Sequence, residues 1–277
     1  MTKLLSEPLL PFGALVDIDL RDVDDIVETE LLRLFREHYL LLFRDQSLDA
    51  AGHRRLMERL GPVPADDDGL VSNDPTVGLQ GSGRLAFHSD LAFAAEPDLG
   101  ASLYALDLVA GGSTTSFASG ILAYERLPRP LQDRIAGLSA LSVWPIDQSG
   151  RNHACEANAG LPRYEHPVVW PHYATGQPVL YLTEMQTDSI VGLPEEESEA
   201  LIEELFGYLY APETVYTHTW RNGDLAIFDN RALQHSRPDV SGVGTRTLRR
   251  MTLARQGFFE QFPQFKPIDG FATATEV

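Results

Sequence analysis

The order of strand-like and helix-like segments is the feature that most limits the folds open to this chain. Apolar residues at helical spacing predict helices over 24–38 and 194–209. Helices do not follow the predicted strands in regular turn, which disfavours a doubly wound parallel sheet. A mixed but mainly β fold is favoured, an antiparallel two-sheet barrel or jelly roll with flanking α-helices. The predicted strands cover 40–43, 101–108, 166–173, 179–182, 214–220, 224–229 and 247–254.

Three more helices are predicted from local signals. Ser47 or Asp49 can cap a helix that ends near Gly61, and short helices are expected over 119–127 and 130–138. The remaining long segments, 65–83 and 142–163, are predicted to be irregular. Long loops beside a site often act as lids, and we expect both to cover an active site. No break in composition divides the chain, so one domain is expected over 1–277.

The charge balance argues against nucleic-acid and membrane partners. The chain has 22 Lys and Arg against 40 Asp and Glu, a formal charge of -18. Such a surface repels phosphate backbones and anionic membranes. A hydrophobic fraction of 43% and a charged fraction of 22% are typical of an ordinary globular protein.

Cysteine content and terminal sequence give the expected compartment. Cys155 is the only cysteine, which rules out an internal disulfide and a thiolate cluster. Any metal site would therefore use histidine and carboxylate ligands. The first eleven residues lack the apolar core and cleavage site of a signal peptide, and no apolar run reaches transmembrane length. We expect a cytoplasmic protein, and the sequence leaves open whether it forms a homo-oligomer.

The triplet His88-Ser89-Asp90 is the first candidate for chemistry. A histidine and an aspartate two residues apart can turn toward one metal ion, and imidazole with carboxylate suits iron(II). Such triplets also arise by chance, so the hypothesis needs a partner. His235 is the best one, because it follows a predicted strand and a polar turn that can project a ligand from a rigid scaffold.

Two arginines lie shortly after this histidine. Arg246 and Arg250 are four positions apart on a predicted strand, so their side chains share a face, whereas Arg249 points to the other side. Two cations beside one metal can hold two separate anions. In an acidic protein this cluster favours anion capture over a solvated basic surface.

Ten short stretches carry a resemblance to a known family. They are Gly13-Ala14, Phe43-Arg44-Asp45-Gln46, Gly61-Pro62, His88-Ser89-Asp90, Gly111-Gly112-Ser113-Thr114, Ala123-Tyr124-Glu125, His166-Pro167-Val168-Val169, Gly223-Asp224, Asp229-Asn230-Arg231 and His235. With these, the chain over roughly 13–254 resembles the taurine dioxygenase-like, or TauD/TfdA-type, oxygenases that depend on Fe(II) and 2-oxoglutarate. The resemblance implies a double-stranded β-helix, or cupin-like jelly roll, as the core.

The resemblance also implies roles for individual residues. His88, Asp90 and His235 would bind iron, leaving room for 2-oxoglutarate and O2. Arg246 would pair with the distal carboxylate of 2-oxoglutarate, since a planar guanidinium fork matches a carboxylate. Thr114 would hydrogen-bond the same carboxylate, although the run Ser113-Thr114-Thr115 allows a shift of one residue.

Substrate contacts are the second set of implied roles. Arg250 matches a position that often binds an acidic group of the main substrate, so we expect a small substrate with a carboxylate or sulfonate. Arg84, next to Gly83 and shortly before His88, is a second candidate for meeting the substrate.

The implied reaction is hydroxylation, or a related oxidation, of an unactivated C–H bond, with formation of succinate and CO2. Asp90 supports it, because halogenating relatives lack this carboxylate. Two alternatives stay open at this point. One is a metal-dependent hydrolase or isomerase on a jelly roll, which would explain the two histidines and Asp90 but not Thr114 and Arg246. The other is an inactive binding relative.

Overall fold

A computed structural model describes residues 4–21, 23–65, 69–74, 76–78, 81–109 and 111–265. The helices are α1 (Asp25–His38), α2 (Ala50–Leu60), α3 (Gly120–Arg126), α4 (Arg129–Ile135), α5 (Glu195–Leu209) and α6 (Phe258–Gln261). The strands are β1 (Leu5–Pro8), β2 (Ala14–Asp17), β3 (Leu40–Phe43), β4 (Gly69–Ser72), β5 (Leu85–His88), β6 (Gly100–Leu108), β7 (Thr114–Ser119), β8 (Ser139–Val143), β9 (Arg163–Pro167), β10 (Val169–Pro171), β11 (Pro178–Leu180), β12 (Thr187–Ile190), β13 (Val215–Thr219), β14 (Leu225–Asp229), β15 (Leu233–Arg237) and β16 (Arg246–Leu253).

Two sheets form the centre of the fold. The larger has seven strands in the order β1-β2-β3-β14-β6-β16-β4, and the smaller has four in the order β13-β7-β15-β5. Within these two sheets, only β2 and β3 pair in parallel. Sheets of three strands (β12-β8-β9) and two strands (β10-β11) lie beside them. The mainly antiparallel two-sheet arrangement confirms the predicted fold.

The apolar run Leu40–Phe43 shows how the layers are held together. Leu40 and Leu42 point between the two sheets, into a core that also contains Phe117 and Phe228. Leu41 and Phe43 point the other way, into a second core under α1 and α2. A strand covered on both faces is apolar throughout, because successive side chains alternate between faces.

Aspartate side chains cap the starts of the outer helices α1 and α2, and the second of these caps is predicted from the sequence. Asp24 accepts hydrogen bonds from the backbone N–H groups of Ile26 and Val27 at the start of α1, at 3.0 and 2.8 Å. Asp49, and not Ser47, caps α2 by accepting from Gly52 N at 2.6 Å. Each cap satisfies backbone donors that a helix start otherwise leaves unpaired.

The prediction of an irregular 65–83 segment is wrong in part. Gly69–Ser72 forms β4, which pairs with the β16 residues from Thr247 to Arg250 at one edge of the larger sheet. The segment is rich in turn-forming residues, and its pairing partner lies far away in the sequence. Local composition therefore gives no sign of this strand.

Two further boundaries differ from the predictions. The predicted strand over 166–173 is split between β9 and β10 by the buried residue Val168. The segment 142–163 is irregular apart from its ends, which extend β8 and begin β9, and a short 3-10 helix over Glu156–Asn158. Within the part of the chain that is described, no helix combines the length and apolar character needed to cross a membrane.

Candidate active site

Three predicted metal ligands meet at one end of the smaller sheet. His88 closes β5, and His235 on β15 is its direct partner across the strand pair, with ring centroids 4.1 Å apart. Asp90 follows His88 in the next turn. One ligating atom from each of the three residues lies within 4.8 Å of the others. Strand pairing thus brings together residues that are far apart in the sequence.

Both histidines are in the protonation state that a metal ligand needs. The Nδ1 of His88 donates to the carbonyl oxygen of Ala86 at 2.8 Å, which leaves Nε2 with its lone pair. Burial lowers the pKa of His88 and, together with the nearby His88, lowers that of His235 to about 3. Near neutral pH both rings are therefore uncharged.

Asp90 supplies the negative charge of the cluster. Burial alone would raise its pKa, but the positive charge of Arg250 and the proximity of the His235 and His88 imidazoles lower it to about 2. Nη2 of Arg250 lies 3.3 Å from Oδ2 of Asp90. An ionised carboxylate with two neutral imidazoles is a donor set that suits Fe(II).

The polar atoms left over in the cluster also fit a metal ion. The buried Nδ1 of His235 makes no hydrogen bond with any residue in the described ranges, and Oδ2 of Asp90 makes none beside its ion pair with Arg250. Buried polar atoms without partners are costly, and a bound ion with its ligands offsets such a cost.

The Asn230 side chain fixes the turn that carries Asp90. Its Oδ1 accepts from Asp90 N at 2.8 Å, and its Nδ2 donates to the carbonyl oxygens of Asp90 and Asp98 at 2.9 and 3.0 Å. Leu91, the next residue, has a φ of 56°, an uncommon backbone conformation for a bulky side chain. Fully buried, Asn230 ties the Asp90 turn to the segment that leads to His235.

Asp229 braces the turn before His235. Its Oδ1 accepts from Arg231 N at 2.9 Å, and its Oδ2 accepts from His172 Nε2 at 2.9 Å and from the Tyr173 hydroxyl at 2.8 Å. The Arg231 guanidinium itself stacks over Trp170, 3.4 Å from the ring centre. These contacts hold the turn in one conformation.

The arginines of β16 divide between the two faces of the strand as predicted. Arg246 and Arg250 line the same cavity as the three candidate ligands. Arg249 points to the opposite face, where it donates to His53 Nδ1 at 3.2 Å and to Leu48 O at 2.8 Å. The alternation of a strand therefore places two cations beside the candidate metal site.

Arg246 is the most deeply buried of these cations. Its side chain is among the largest with almost no exposure, and its Nε donates to Ser113 Oγ at 2.5 Å. Its Nη1 has no hydrogen-bond partner among the residues described. Burial, and then the positive charge of Arg237, lower the pKa of Arg246 to about 9. A nearby anion would stabilise this guanidinium.

Thr114 does not line the cavity, whereas its neighbour Thr115 does. Both lie on β7, where successive side chains face opposite sides. Thr115 is buried, and its Oγ1 accepts from Trp220 Nε1 at 2.9 Å, which leaves its hydroxyl proton to donate elsewhere. Thr115, one residue after Thr114, is thus the better-placed candidate for the contact that was expected of Thr114.

Arg84 also lies outside the cavity. Its guanidinium pairs with the two carboxylate oxygens of Glu184 at 2.8 and 2.9 Å and donates to Ser149 O. Glu184 in turn accepts from Phe87 N at 3.1 Å. Arg84 therefore fastens β5 to neighbouring loops, and this position outside the cavity does not support the substrate contact expected of it.

The cavity contains one arginine that the sequence reasoning missed. Arg237 lies on β15 two positions after His235. Side chains two positions apart on a strand share a face, so this spacing could have indicated that Arg237 faces the cavity. Apolar walls complete the cavity, supplied by Val71, Leu85 and Leu103.

Comparison with known proteins now gives the family. The model of the family described as "Taurine catabolism dioxygenase TauD, TfdA family" matches residues 5–252. The chain belongs to this family. The match confirms the resemblance read from the ten stretches, and it includes all three candidate metal ligands and both cavity arginines of β16. It also favours oxygenation over the hydrolase or isomerase alternative.

Curated relatives in this family are dioxygenases that use 2-oxoglutarate. The chain is 30% identical to the alpha-ketoglutarate-dependent 2,4-dichlorophenoxyacetate dioxygenase of Cupriavidus pinatubonensis, over 90% of this chain and 97% of that protein. It is 29% identical to the (S)-phenoxypropionate/alpha-ketoglutarate-dioxygenase of Sphingobium herbicidovorans, over 81% and 85% of the two chains. It is also 29% identical to the alpha-ketoglutarate-dependent sulfate ester dioxygenase of Pseudomonas putida, over 86% and 82%.

Solved structures support the same fold. A taurine dioxygenase from Burkholderia xenovorans superposes with a TM-score of 0.78 at 27% identity, covering 91% of each chain. AAD-2 in complex with Mn(II) and N-oxalylglycine superposes with a TM-score of 0.79 at 23% identity, over 92% of this chain and 99% of that one. The jelly-roll core expected from the sequence is thus confirmed. This family member is an oxidoreductase that depends on Fe(II), 2-oxoglutarate and O2.

Proposed function

We propose that this dioxygenase hydroxylates, or otherwise oxidises, an unactivated C–H bond of a small substrate that carries a carboxylate or sulfonate. 2-Oxoglutarate would be converted to succinate and CO2 in the same turnover. One observation carries the proposal: His88, Asp90 and His235 share a buried cavity with Arg246 and Arg250. A metal site beside two cations is suited to a metal, a dicarboxylate and a second anion together.

Iron and 2-oxoglutarate supply the oxidising chemistry, and the chain binds and orients the reactants. In this proposal His88, Asp90 and His235 are the iron ligands. The hydrogen bond from His88 Nδ1 to the Ala86 carbonyl oxygen fixes the His88 imidazole. The hydrogen bonds of the Asn230 side chain fix the backbone of Asp90. Ligands held in this way need little rearrangement when the metal binds.

Arg246 and Thr115 are the proposed contacts for the distal carboxylate of 2-oxoglutarate. The Nε of Arg246 already donates to Ser113, which orients the guanidinium, and its Nη1 is available. The Thr115 hydroxyl is oriented by the bond from Trp220. Val71 and Leu103 border the same cavity and keep water from it, which strengthens the ion pair.

Arg250 is the proposed contact for the acidic group of the substrate. It lies 3.3 Å from Asp90 and 3.5 Å from Asp98, between two carboxylates that hold its guanidinium at the metal site. About a quarter of its side chain is exposed, so an incoming anion can reach it. Curated relatives named for phenoxypropionate, 2,4-dichlorophenoxyacetate and sulfate esters support a small anionic substrate.

Aerobic turnover tests the proposed function. The protein with Fe(II), ascorbate and 2-oxoglutarate would be offered (S)-2-phenoxypropionate, 2,4-dichlorophenoxyacetate, an alkyl sulfate, taurine and neutral analogues of each. We expect succinate above the substrate-free rate only with acidic compounds, together with a product that has gained one oxygen or lost two hydrogens. Stimulation by the neutral analogues would contradict the assignment of Arg250. No succinate from any compound, with iron bound, would indicate an inactive relative.

The two neighbouring threonines give a matched test of the cosubstrate site. We expect Thr115→Ala to raise the dissociation constant of 2-oxoglutarate about tenfold, since a hydrogen bond to a charged group is lost. Thr114→Ala should change it less than about twofold. Anaerobic titration of the Fe(II) protein, followed by the visible charge-transfer band, measures both. If Thr114→Ala weakens 2-oxoglutarate binding more than Thr115→Ala does, Thr114 is the contact for the distal carboxylate, as the sequence first indicated.

A further inference from the structure

The segment 182–186, between β11 and β12, lies against the strand that carries His88 and has no role in the function proposed above. The backbone N–H of Met185 donates to the carbonyl oxygen of Phe87 at 3.0 Å. The Phe87 N–H donates in turn to Glu184 Oε2 at 3.1 Å. The segment thus binds both backbone groups of the residue that precedes the first candidate ligand.

Gln186, at the end of this segment, reaches the residue between two candidate ligands. It is 2% exposed, and its Nε2 donates to the carbonyl oxygen of Ser89 at 2.9 Å. The Thr183 hydroxyl accepts from Gln186 N at 3.1 Å and donates to Gln186 Oε1 at 3.0 Å. Since that hydroxyl proton needs the amide oxygen as its acceptor, the amide group is oriented with Nε2 toward Ser89. A buried donor of fixed orientation therefore holds the carbonyl between His88 and Asp90.

Gln234 connects the same segment to the third candidate ligand. It immediately precedes His235 on β15, so its side chain lies on the opposite face of the strand. There its Nε2 donates to the carbonyl oxygen of Leu182, and its Oε1 accepts from the Tyr210 hydroxyl at 2.8 Å. The Tyr210 hydroxyl also accepts from Glu184 N at 2.9 Å. One short segment thus contacts a direct neighbour of each of the three ligands.

Strand pairing alone gives the ligand turn incomplete support. The strand β5 lies at the edge of the smaller sheet, and the register of its pairing with β15 shifts just after His235. Asp90 lies beyond the end of β5. Asn230 holds the backbone N–H and carbonyl of Asp90 from one side. Gln186 holds the preceding peptide group, at Ser89, by a separate hydrogen bond.

We propose that Gln186 is a positioning residue for the metal site. Through the Ser89 carbonyl it fixes the turn that sets the His88 imidazole and the Asp90 carboxylate relative to each other. The proposal rests on the ligand assignment given under the proposed function. Gln186 acts through the backbone, so its loss should change both the affinity for the metal and the geometry of coordination.

Two glutamine variants separate this role from a general structural one. Gln186→Met keeps an unbranched side chain of similar length and removes the amide. Gln132→Met is the matched control, because Gln132 Nε2 donates to the carbonyl oxygens of Tyr124 and Leu127 at 3.3 and 3.0 Å, outside the cavity. Each metal-free protein would be titrated anaerobically with Co(II), whose visible d–d bands report both the amount bound and the coordination geometry.

We expect Gln186→Met to raise the dissociation constant of Co(II) about tenfold, the lower end of the loss seen when outer partners of metal ligands are replaced. The d–d bands at saturating Co(II) should also shift or change in intensity. Gln132→Met should change the constant less than about twofold and leave the bands unchanged, even if its melting temperature falls. Melting curves of both metal-free variants show how much stability each has lost.

Two results would overturn the proposal while leaving the ligand assignment intact. One is an unchanged constant with unchanged bands in Gln186→Met. The other is equal weakening in Gln132→Met, which would reflect a general loss of stability. If the wild-type protein binds no Co(II), the ligand assignment itself is wrong and the proposal fails with it.

A second variant keeps the test available if Gln186→Met does not fold. Thr183→Val retains Gln186 and removes the hydroxyl that orients its amide. Shifted d–d bands in this variant would support the positioning role. Bands and a dissociation constant identical to those of the wild type would contradict it.

Discussion

His235→Ala is expected to abolish turnover, with a loss in kcat/KM of more than about 100-fold, because replacing even an outer partner of a metal ligand costs 10- to 100-fold. The ring of His235 faces His88 across the strand pair and contributes one of three ligating atoms within 4.8 Å. Without it, two ligands from a single turn remain. Metal content after dialysis against Fe(II) and the rate of succinate formation would measure the two consequences.

A histidine on the surface provides the matched control. His153 has more than half of its side chain exposed and lies outside the cavity. His153→Ala should retain both iron and activity. Normal iron binding by His235→Ala, together with normal succinate formation, would contradict the assignment of the metal ligands. A melting curve for each variant shows whether a loss of activity is only a loss of folding.

Arg246→Gln is expected to have the second largest effect, on 2-oxoglutarate rather than on iron. Removing one partner of a buried ion pair costs about 3–5 kcal/mol, so the dissociation constant should rise on the order of 150- to 5,000-fold. Because Arg246 is buried and is held by its hydrogen bond to Ser113, solvent can compensate little for the lost charge. Titration with 2-oxoglutarate in the anaerobic Fe(II) protein measures the change.

Iron binding should survive in this variant, because Arg246 contacts none of the three candidate ligands among the contacts observed. Arg84→Gln is the control, because Arg84 lies outside the cavity. The affinity of this control variant for 2-oxoglutarate should match that of the wild type. If Arg246→Gln strongly raises the KM of the substrate and leaves the affinity for 2-oxoglutarate unchanged, Arg246 binds the substrate instead. Arg250 would then be the contact for 2-oxoglutarate.

Several errors in the sequence reasoning have one physical cause. On a strand, a shift of one residue moves a side chain to the other face. Thr114 and Thr115 are the same residue type, so the sequence cannot say which of them faces the cavity. The strand β7 is fixed by its pairing with β13 and β15, whose residues lie more than a hundred positions later. That pairing selects Thr115.

Arg84 and Arg237 show the same limit for charged residues. Both are arginines a few positions from a metal ligand, and the sequence reasoning chose the first. In the structure Arg84 pairs with Glu184 from a distant loop, whereas Arg237 on β15 lines the cavity. The edge strand β4 was missed because its partner β16 lies far away in the sequence.

The sequence by itself predicted the family, the jelly-roll class, three candidate metal ligands and two arginines of β16 that face the same cavity. Those features depend on residue type and on spacing within one segment, which can be read locally. The tertiary structure alone decided which neighbours complete the site, namely Thr115, Asn230 and Arg237. Their positions depend on pairing between strands and turns that are distant in the chain, and local sequence carries no record of that register.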